Sequence, residues 1–176
     1  MANNYPIKIK DGRECILRDV TESDIPQVVE CINSIAKERI YIANEGIEDT
    51  ERFKKVLFEQ INRGNWIFKV AEVDKKIAGD FNLQIGYPAK RKHTAYIATI
   101  LMKEYRNLGI GSAMMKLATE KARERGVEKL GLSVFSINTN ALNFYKHCGF
   151  EIEGILKKQF IINNEYVDEV YMAKWL

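Results

Sequence analysis

Residues 105–112 read Tyr-Arg-Asn-Leu-Gly-Ile-Gly-Ser, between an apolar run typical of a strand and an amphipathic helical pattern. This order predicts a strand, a glycine turn and the N-terminus of a helix. The first turn of a helix leaves main-chain N–H groups without intrahelical partners and carries about half a positive charge. Because Gly109 and Gly111 have no Cβ, a phosphate group can approach the main chain closely at this turn. The segment predicts a phosphate-binding site, with glycines that only allow tight packing as the alternative.

Two familiar phosphate-binding motifs do not fit this segment. A P-loop requires Gly-Lys followed by Ser or Thr, and the sequence contains no such run. A dinucleotide fingerprint would place glycine or alanine three residues after Gly111, where the chain has Met114. The pattern that remains is Arg-x-x-Gly-x-Gly, from Arg106 to Gly111. It resembles the acetyl-coenzyme A pyrophosphate loop of the GNAT superfamily of N-acetyltransferases.

A second segment, residues 138–150, supports the same resemblance. Asparagine is a favoured first residue of a helix and glycine a favoured residue just past its end, so this segment predicts a short helix. GNAT proteins have asparagine, alanine and tyrosine in this element, followed by Gly-Phe. This chain matches them with Asn138, Ala141, Tyr145, Gly149 and Phe150.

The resemblance extends over essentially the whole chain and is firmest from Ile77 onward. Residues 150–172 are similar to the branch that contains small-amino-acid N-acetyltransferases and ribosomal-protein N-terminal acetyltransferases. The resemblance therefore implies one N-acetyltransferase domain over residues 1–176.

The composition is that of an ordinary globular protein, with 46% hydrophobic and 29% charged residues. The net charge of +3 is too small to indicate a nucleic-acid partner. Three widely spaced cysteines and two histidines form no ligand pattern, so we expect reduced thiols and no metal. No apolar run approaches the roughly 18 residues of a membrane helix, and no signal-peptide pattern is present. We therefore expect a soluble, cytoplasmic protein with no membrane partner.

Hydrophobic periodicity predicts strands and helices along the chain. The predicted strands are residues 15–20, 66–73, 76–84, 94–102 and 129–134, with two more flanking the turn Asn163-Asn164. The predicted helices begin at Ser23, at Asp49 or Thr50, at the glycine turn and at Asn138.

This order predicts a mixed α/β fold, with a twisted, mostly antiparallel sheet of about seven strands and helices on both faces. Strands 94–102 and 129–134 would be parallel neighbours connected by a crossover helix. The resemblance implies the GNAT fold, in which this central pair splays apart and admits the pantetheine arm of coenzyme A.

The resemblance also implies acetyl-coenzyme A as the co-substrate. The main-chain N–H groups from Leu108 to Ser112 would bind the pyrophosphate, with Arg106 adding positive charge. The main chain of residues 100–102 would bind the pantetheine. The full predicted coenzyme A site comprises Ile100, Leu101, Met102, Arg106, Asn107, Leu108, Gly109, Ile110, Gly111, Ser112, Asn138 and Tyr145.

Tyr145 occupies the family's position for the group that meets the sulfur of coenzyme A, and it is the predicted catalytic residue. Transfer of a proton from a tyrosine near pKa 10 to a thiolate near 8.5 is uphill by about 2 kcal/mol. We therefore expect Tyr145 to hydrogen-bond the developing thiolate. The alternative is that this tyrosine only packs its helix.

The acceptor is predicted to bind at residues 38–45 and at the Asn163-Asn164 turn. Within the first of these segments, the predicted contacts are Glu38, Arg39 and Tyr41. An arginine can pair with a substrate carboxylate and an acid with its ammonium group. An ion pair at the end of a helix explains the same charges.

No residue stands out as the general base. Asp80, His93, Tyr96 and Glu38 are candidates. A water relay would also suffice, because an α-amine with a pKa near 8 is partly neutral at pH 7.

These features predict an acetyl-coenzyme A-dependent N-acetyltransferase that acts on a free amino acid or small amine by direct transfer. A protein N-terminal acetyltransferase and a non-catalytic coenzyme A-binding domain are the alternatives. The oligomeric state is open, with a homodimer as one candidate.

Overall fold

A computed structural model of the chain describes residues 4–43, 45–86 and 89–176; Asn44, in the predicted acceptor segment, lies outside them. Within these residues, eight strands form one sheet. They are β1 (Tyr5–Lys8), β2 (Glu14–Asp19), β3 (Trp66–Val73), β4 (Lys76–Ile85), β5 (Thr94–Leu101), β6 (Lys129–Phe135), β7 (Glu151–Ile162) and β8 (Glu165–Trp175). Their order across the sheet is β1-β2-β3-β4-β5-β6-β8-β7, and only β5 and β6 are parallel neighbours. The predicted mixed, mostly antiparallel sheet is confirmed.

Four α-helices pack on the two faces of this sheet. They are α1 (Ile25–Ala36), α2 (Thr50–Asn62), α3 (Ile110–Glu124) and α4 (Thr139–His147). Helices α1 and α2 share one apolar core with β3, which includes Val28, Leu57 and Val70. Helix α3 belongs to the core of the other face, where Met114 and Leu130 are almost fully buried. No described helix combines the length and the hydrophobicity needed to cross a membrane.

Two details differ from the sequence-based expectations. Strand β1 was not predicted, because it has only four residues, includes a proline and lies at the edge of the sheet. Ser23 does not cap α1: the chain instead forms a capping box between Thr21 and Asp24, and α1 starts after Asp24. The predicted cap of α2 is confirmed, since the carboxylate of Asp49 accepts a hydrogen bond from the Arg52 N–H at 2.9 Å.

The central parallel pair separates after a short contact. Only residues 94–96 of β5 pair with residues 129–131 of β6, although β5 continues to Leu101 and β6 to Phe135. The predicted splayed pair is therefore present, and the gap between the two strands is where the site forms.

Candidate active site

A cavity of about 870 Å³ occupies the gap between β5 and β6. Its walls come from both strands, the N-terminus of α3, helix α4 and the segment after α1. The predicted site residues that line it are Tyr41, Ile100, Leu101, Arg106, Asn107, Gly109, Gly111, Ser112, Asn138 and Tyr145. The other predicted site residues, which the structure places outside this lining, are Glu38, Arg39, Met102, Leu108 and Ile110.

The N-terminus of α3 opens into the cavity. Gly109 precedes the helix with a φ of 92°, a left-handed conformation that favours glycine, and Asn107 has a φ of 64°. Gly111 and Ser112 lie in the first turn, where main-chain N–H groups have no intrahelical acceptor. A Cβ on Gly111 would lie 3.6 Å from Phe144 Cζ, which is an ordinary contact distance. This end of the cavity therefore offers main-chain N–H groups and the positive end of the helix dipole.

Lys10 lines the same end of the cavity and was not singled out in the sequence. Its main-chain N–H donates to the Leu108 carbonyl at 3.1 Å, which places the loop after β1 beside the glycine turn. Lys10 is therefore a candidate cation for this end of the cavity. Nothing local in the sequence relates Lys10 to a turn about a hundred residues later.

Arg106 faces the cavity, but its guanidinium is engaged with the protein. It donates to both carboxylate oxygens of Glu38, to the Tyr41 hydroxyl at 3.0 Å and to the Leu101 carbonyl at 2.9 Å. The hydrogen bonds with Arg106 lower the pKa of Glu38, and those with Glu38 raise the pKa of Arg106. The structure therefore explains two of the predicted acceptor residues, Glu38 and Tyr41, as partners of Arg106.

The main chain of β5 presents alternate residues to the gap. The main-chain N–H and C=O groups of even-numbered residues point toward β4. The Met102 N–H donates to the Ala78 carbonyl, and the Thr94 carbonyl accepts from the Gly86 N–H. The main-chain groups of odd-numbered residues point toward β6, and the His93 carbonyl accordingly accepts from the Lys129 N–H at the start of that strand. Beyond the residues that pair with β6, the main-chain N–H groups that face the gap are those of Thr99 and Leu101. Of the three residues predicted to bind pantetheine through the main chain, Leu101 alone has this orientation.

Tyr145 reaches the gap from α4. Its hydroxyl lies 2.8 Å from Oγ1 of Thr99, so α4 is tied to β5 at this point. Burial, together with the nearby Cys148 and Tyr96, raises the pKa of Tyr145, and the Thr99 hydrogen bond only partly opposes this effect. Tyr145 therefore keeps its proton at neutral pH. Asn138, at the other end of α4, caps the helix through a hydrogen bond from the Ala141 N–H at 3.1 Å.

Three polar side chains meet on another wall of the cavity. The hydroxyl of Tyr96 lies 2.7 Å from Oγ of Ser133, and that Oγ donates to the Glu169 carboxylate at 2.6 Å. They come from three adjacent strands, β5, β6 and β8. Tyr96 was a candidate base in the sequence, whereas Ser133 and Glu169 were not found, because residues so far apart in the chain give no local pattern.

The other candidate bases lie elsewhere. Asp80 is buried on β4, and burial raises its pKa to about 8, but it does not line the cavity. Glu38 is held by Arg106. His93 is likewise outside the cavity lining and precedes β5, where its carbonyl accepts from Glu128 and Lys129. No cluster of three His, Cys, Asp or Glu side chains able to hold a metal occurs among the described residues.

Arg39 lies beside a small second cavity of about 80 Å³. This cavity shares Ile42, Ala43, Phe135 and Phe160 with the large one, so the two are adjacent. The Arg39 guanidinium lies 3.5 Å from the Asn163 side-chain oxygen, which brings together the two segments predicted to bind the acceptor.

Comparison with known proteins places this chain in a family. The family model described as "Acetyltransferase (GNAT) domain" matches residues 17–171. The chain is 35% identical over 106 residues to the L-amino acid N-acetyltransferase AaaT of Escherichia coli strain K12. That alignment covers 60% of this chain and 65% of the relative, just under two thirds of its length.

Two further relatives are similar over most of the chain. An N-alpha-acetyltransferase of Sulfurisphaera tokodaii is 27% identical over 162 residues, which are 86% of this chain and 89% of that protein. The crystal structure of a ribosomal-protein-alanine N-acetyltransferase from Brucella melitensis has a TM-score of 0.83 and 26% identity, and the match covers 91% of this chain and 99% of that one. Because the family model spans nearly the whole chain, this protein belongs to the GNAT family of N-acetyltransferases, a family of acyltransferase enzymes.

Proposed function

We propose that this protein transfers an acetyl group from acetyl-coenzyme A to the primary amine of a free amino acid or a related small amine. The observation that carries the proposal is one continuous cavity that joins the first turn of α3, the Tyr145 hydroxyl and a polar wall at Glu169. Acetyl transfer from a coenzyme A thioester to an amine requires three things: a phosphate-binding end, a proton donor and a separate wall for the acceptor.

The residues at the phosphate end fit a pyrophosphate. The free N–H groups of Gly111 and Ser112 bind anionic oxygens, and the helix dipole favours the negative charge. Lys10 supplies the cation, since the charge of Arg106 is already paired with Glu38. Arg106 then acts by holding the loop before α3 against Tyr41 and β5.

The splayed edge of β5 fits the amide groups of pantetheine. Thr99 and Leu101 turn their main-chain N–H groups to the gap, where β6 no longer pairs with them. When bound, acetyl-coenzyme A supplies the acetyl thioester. A main-chain N–H of this edge would stabilise negative charge on its carbonyl oxygen, which typically contributes about 3 kcal/mol.

Tyr145 serves the departing thiolate. Its raised pKa keeps the hydroxyl protonated, and Thr99 fixes the position of that hydroxyl. A protonated tyrosine can donate a hydrogen bond to sulfur as the C–S bond breaks, whereas full proton transfer is uphill at first.

The preference for a free amino acid rests on charge at the acceptor side and on the named relative. The wall at Tyr96 and Ser133 offers a carboxylate, Glu169, for an ammonium group. Arg39, beside the adjacent small cavity, offers a cation for a carboxylate. The named activity of the Escherichia coli relative, on L-amino acids, agrees with this pairing of charges.

A protein N-terminal α-amine is the second candidate acceptor. It is favoured by the names of two relatives, the Sulfurisphaera N-alpha-acetyltransferase and the Brucella ribosomal-protein-alanine N-acetyltransferase. An N-terminal residue carries the same ammonium group but continues into a peptide and has no adjacent carboxylate.

A coupled assay of free thiol tests the proposal. The protein and acetyl-coenzyme A are mixed with a panel of L-amino acids, their amides, peptides with free N-termini and polyamines. We expect the highest kcat/KM with a free amino acid. Highest activity on peptides would favour the second candidate, and binding of acetyl-coenzyme A without thiol release on any amine would overturn the proposed activity.

A further inference from the structure

We propose that Tyr96, Ser133 and Glu169 form a proton relay, the route by which the acceptor amine loses its proton. In this assignment Tyr96 Oη meets the amine nitrogen, and the Glu169 carboxylate is the final proton acceptor. The inference rests on the proposed acetyl transfer and names the atoms on its acceptor side.

The three side chains form an unbroken chain of short hydrogen bonds. The two distances are 2.7 Å from Tyr96 to Ser133 and 2.6 Å from Ser133 to Glu169, and all three residues line the cavity. Ser133 and Glu169 are partly buried, and Tyr96 is 37% exposed at the open end. A ligand in the cavity can therefore reach Tyr96 directly.

The carboxylate fixes the direction of these hydrogen bonds. A glutamate carboxylate accepts hydrogen bonds and donates none, so Ser133 must give its hydroxyl proton to Glu169. The Ser133 oxygen is then free to accept from the Tyr96 hydroxyl. This order leaves the lone pairs of the Tyr96 oxygen for an N–H donor in the cavity. An amine is such a donor.

The proton route balances without a further reactant. When the amine nitrogen bonds to the acetyl carbon, it becomes positively charged and its protons become acidic. One proton passes to the Tyr96 oxygen, the Tyr96 proton passes to Ser133, and the Ser133 proton passes to Glu169. The two hydroxyl groups end as they began, Glu169 becomes a carboxylic acid, and the nitrogen becomes a neutral amide as the C–S bond breaks.

The chain lies on the opposite side of the sheet from Tyr145. Successive side chains of a strand point to opposite faces. The residues adjacent to Tyr96, Ser133 and Glu169 on their strands include Ile97, Val134 and Val170, which belong to the same core as α3. Tyr145 packs on that core from α4. The thiolate thus departs on one face of the sheet, and the amine enters from the other.

The two tyrosines nevertheless line the same cavity. Tyr96 also sits at the last paired position of β5 and β6, opposite Gly131, where the gap begins. A reacting carbon held between the two hydroxyls would have the amine on one side and the sulfur on the other.

The test compares Glu169→Gln and Tyr96→Phe with the wild-type protein, on an acceptor for which the chemical step limits the rate. Each variant should lower kcat about 10²-fold, as loss of an acid–base group typically does, and leave KM for acetyl-coenzyme A nearly unchanged. The double variant should be no worse than either single one, because the two residues act as one unit. The solvent deuterium isotope effect on kcat should shrink in all three.

Two controls accompany the comparison. Glu151→Gln removes the same charge from an exposed position at the start of β7 and should keep the wild-type kcat. Tyr96→Phe deletes only a partly exposed hydroxyl, so it keeps the test valid if Glu169→Gln does not fold. Thermal unfolding of each variant verifies the fold.

The outcomes separate the relay from the proposed function. A wild-type protein that binds acetyl-coenzyme A but acetylates no amine overturns the proposed function, and the relay with it. An active wild-type protein whose variants keep kcat overturns the relay alone. A lower kcat with an unchanged isotope effect also overturns it, because a merely structural role would give that result.

Discussion

The guanidinium of Arg106 and the carboxylate of Glu38 form a two-pronged ion pair, with Nη1 of Arg106 2.9 Å from Oε2 of Glu38. The two residues are 68 positions apart, so this pair ties the loop before α3 to the segment after α1. Nη1 of Arg106 also donates to the Tyr41 hydroxyl, which holds Tyr41 in the wall of the cavity. One interaction thus connects the proposed coenzyme A side of the cavity with its proposed acceptor side.

Glu38→Gln should weaken the binding of the acceptor and leave the binding of acetyl-coenzyme A intact. Both side chains of the pair are about a quarter exposed, so its loss removes at most about 1 kcal/mol of the restraint on Tyr41, which limits the rise in KM for the acceptor to about fivefold. The Kd of acetyl-coenzyme A should stay equal or fall, because Arg106 gains freedom to face the phosphates. Calorimetry and steady-state kinetics measure the two quantities, with Glu59→Gln, in an exposed ion pair on α2, as the control. A Kd ten times higher would contradict this expectation, because it would show that the pair of Arg106 with Glu38 supports binding of the coenzyme.

Gly111→Ala should lower the affinity for acetyl-coenzyme A by about tenfold or more, equivalent to about 1.4 kcal/mol of binding free energy. The new methyl group fits the protein, since its nearest neighbour lies 3.6 Å away, but it occupies space where a pyrophosphate would contact the main chain. The rise in melting temperature on adding acetyl-coenzyme A measures the effect. Gly154→Ala, at an open position on β7, is the matched control. If Gly111→Ala and Gly154→Ala show the same ligand-induced shift, the phosphates bind elsewhere.

Tyr145→Phe should lower kcat about 10²-fold and leave the affinity for acetyl-coenzyme A almost unchanged. The substitution keeps the ring packed against Phe144 and Phe150 and deletes only the hydroxyl. Thr99→Val, which removes the partner of that hydroxyl but not the hydroxyl itself, should have a smaller effect. Wild-type turnover in Tyr145→Phe would make Tyr145 a packing residue.

The parts of the site that could be predicted are those encoded by neighbouring residues. The glycine turn from Arg106 to Ser112 and the α4 segment with Tyr145 each form within one short stretch, so the residues there carried the family resemblance that indicated them. The sheet followed from periodicity, apart from the short edge strand β1. The residue roles at these positions remain predictions.

The parts that could not be predicted depend on contacts between distant segments. Ser133 and Glu169 meet only because β6 and β8 are neighbours in the sheet, and this order is not a local property. The pairing of Arg106 with Glu38 likewise required the positions of α1 and α3. Which residues of β5 turn their main chain to the gap depends on the β4–β5 register, which the sequence pattern leaves open.

Asp24→Asn should destabilise the fold at neutral pH and much less in acid. The Asp24 carboxylate is buried, which opposes its charge, but hydrogen bonds from Arg18 and Thr21 outweigh burial and lower its pKa to about 2. A pKa lowered on folding adds stability above the unfolded value near 3.8 and loses it as the pH falls toward 2. Urea denaturation should give a difference of about 2 kcal/mol at pH 7 that shrinks below pH 4. A difference that is constant with pH would show that the charge of Asp24 contributes nothing.

Arg39→Ala should raise KM for a free amino acid about tenfold and affect the matching amino-acid amide much less. The guanidinium lies next to Asn163 at the small cavity that adjoins the acceptor wall, where it can bind a substrate carboxylate. Loss of one charged hydrogen-bonding partner typically costs about 1.5–3 kcal/mol of binding free energy. The amide has no carboxylate, so it makes no such interaction with Arg39 and loses nothing. The measurement is KM for the free amino acid and for its amide, each with the wild-type protein and with Arg39→Ala.

Lys37→Ala is the control for Arg39→Ala, because it removes the same charge from an exposed position two residues earlier. It should leave KM for both substrates unchanged, since Lys37 lines neither cavity. Equal losses on acid and amide in Arg39→Ala would mean that Arg39 supports the fold around the turn at Asn163 and does not bind a carboxylate. A loss confined to the acid would identify Arg39 as the residue that distinguishes free amino acids from N-terminal peptides, because only the former carry a carboxylate next to the amine.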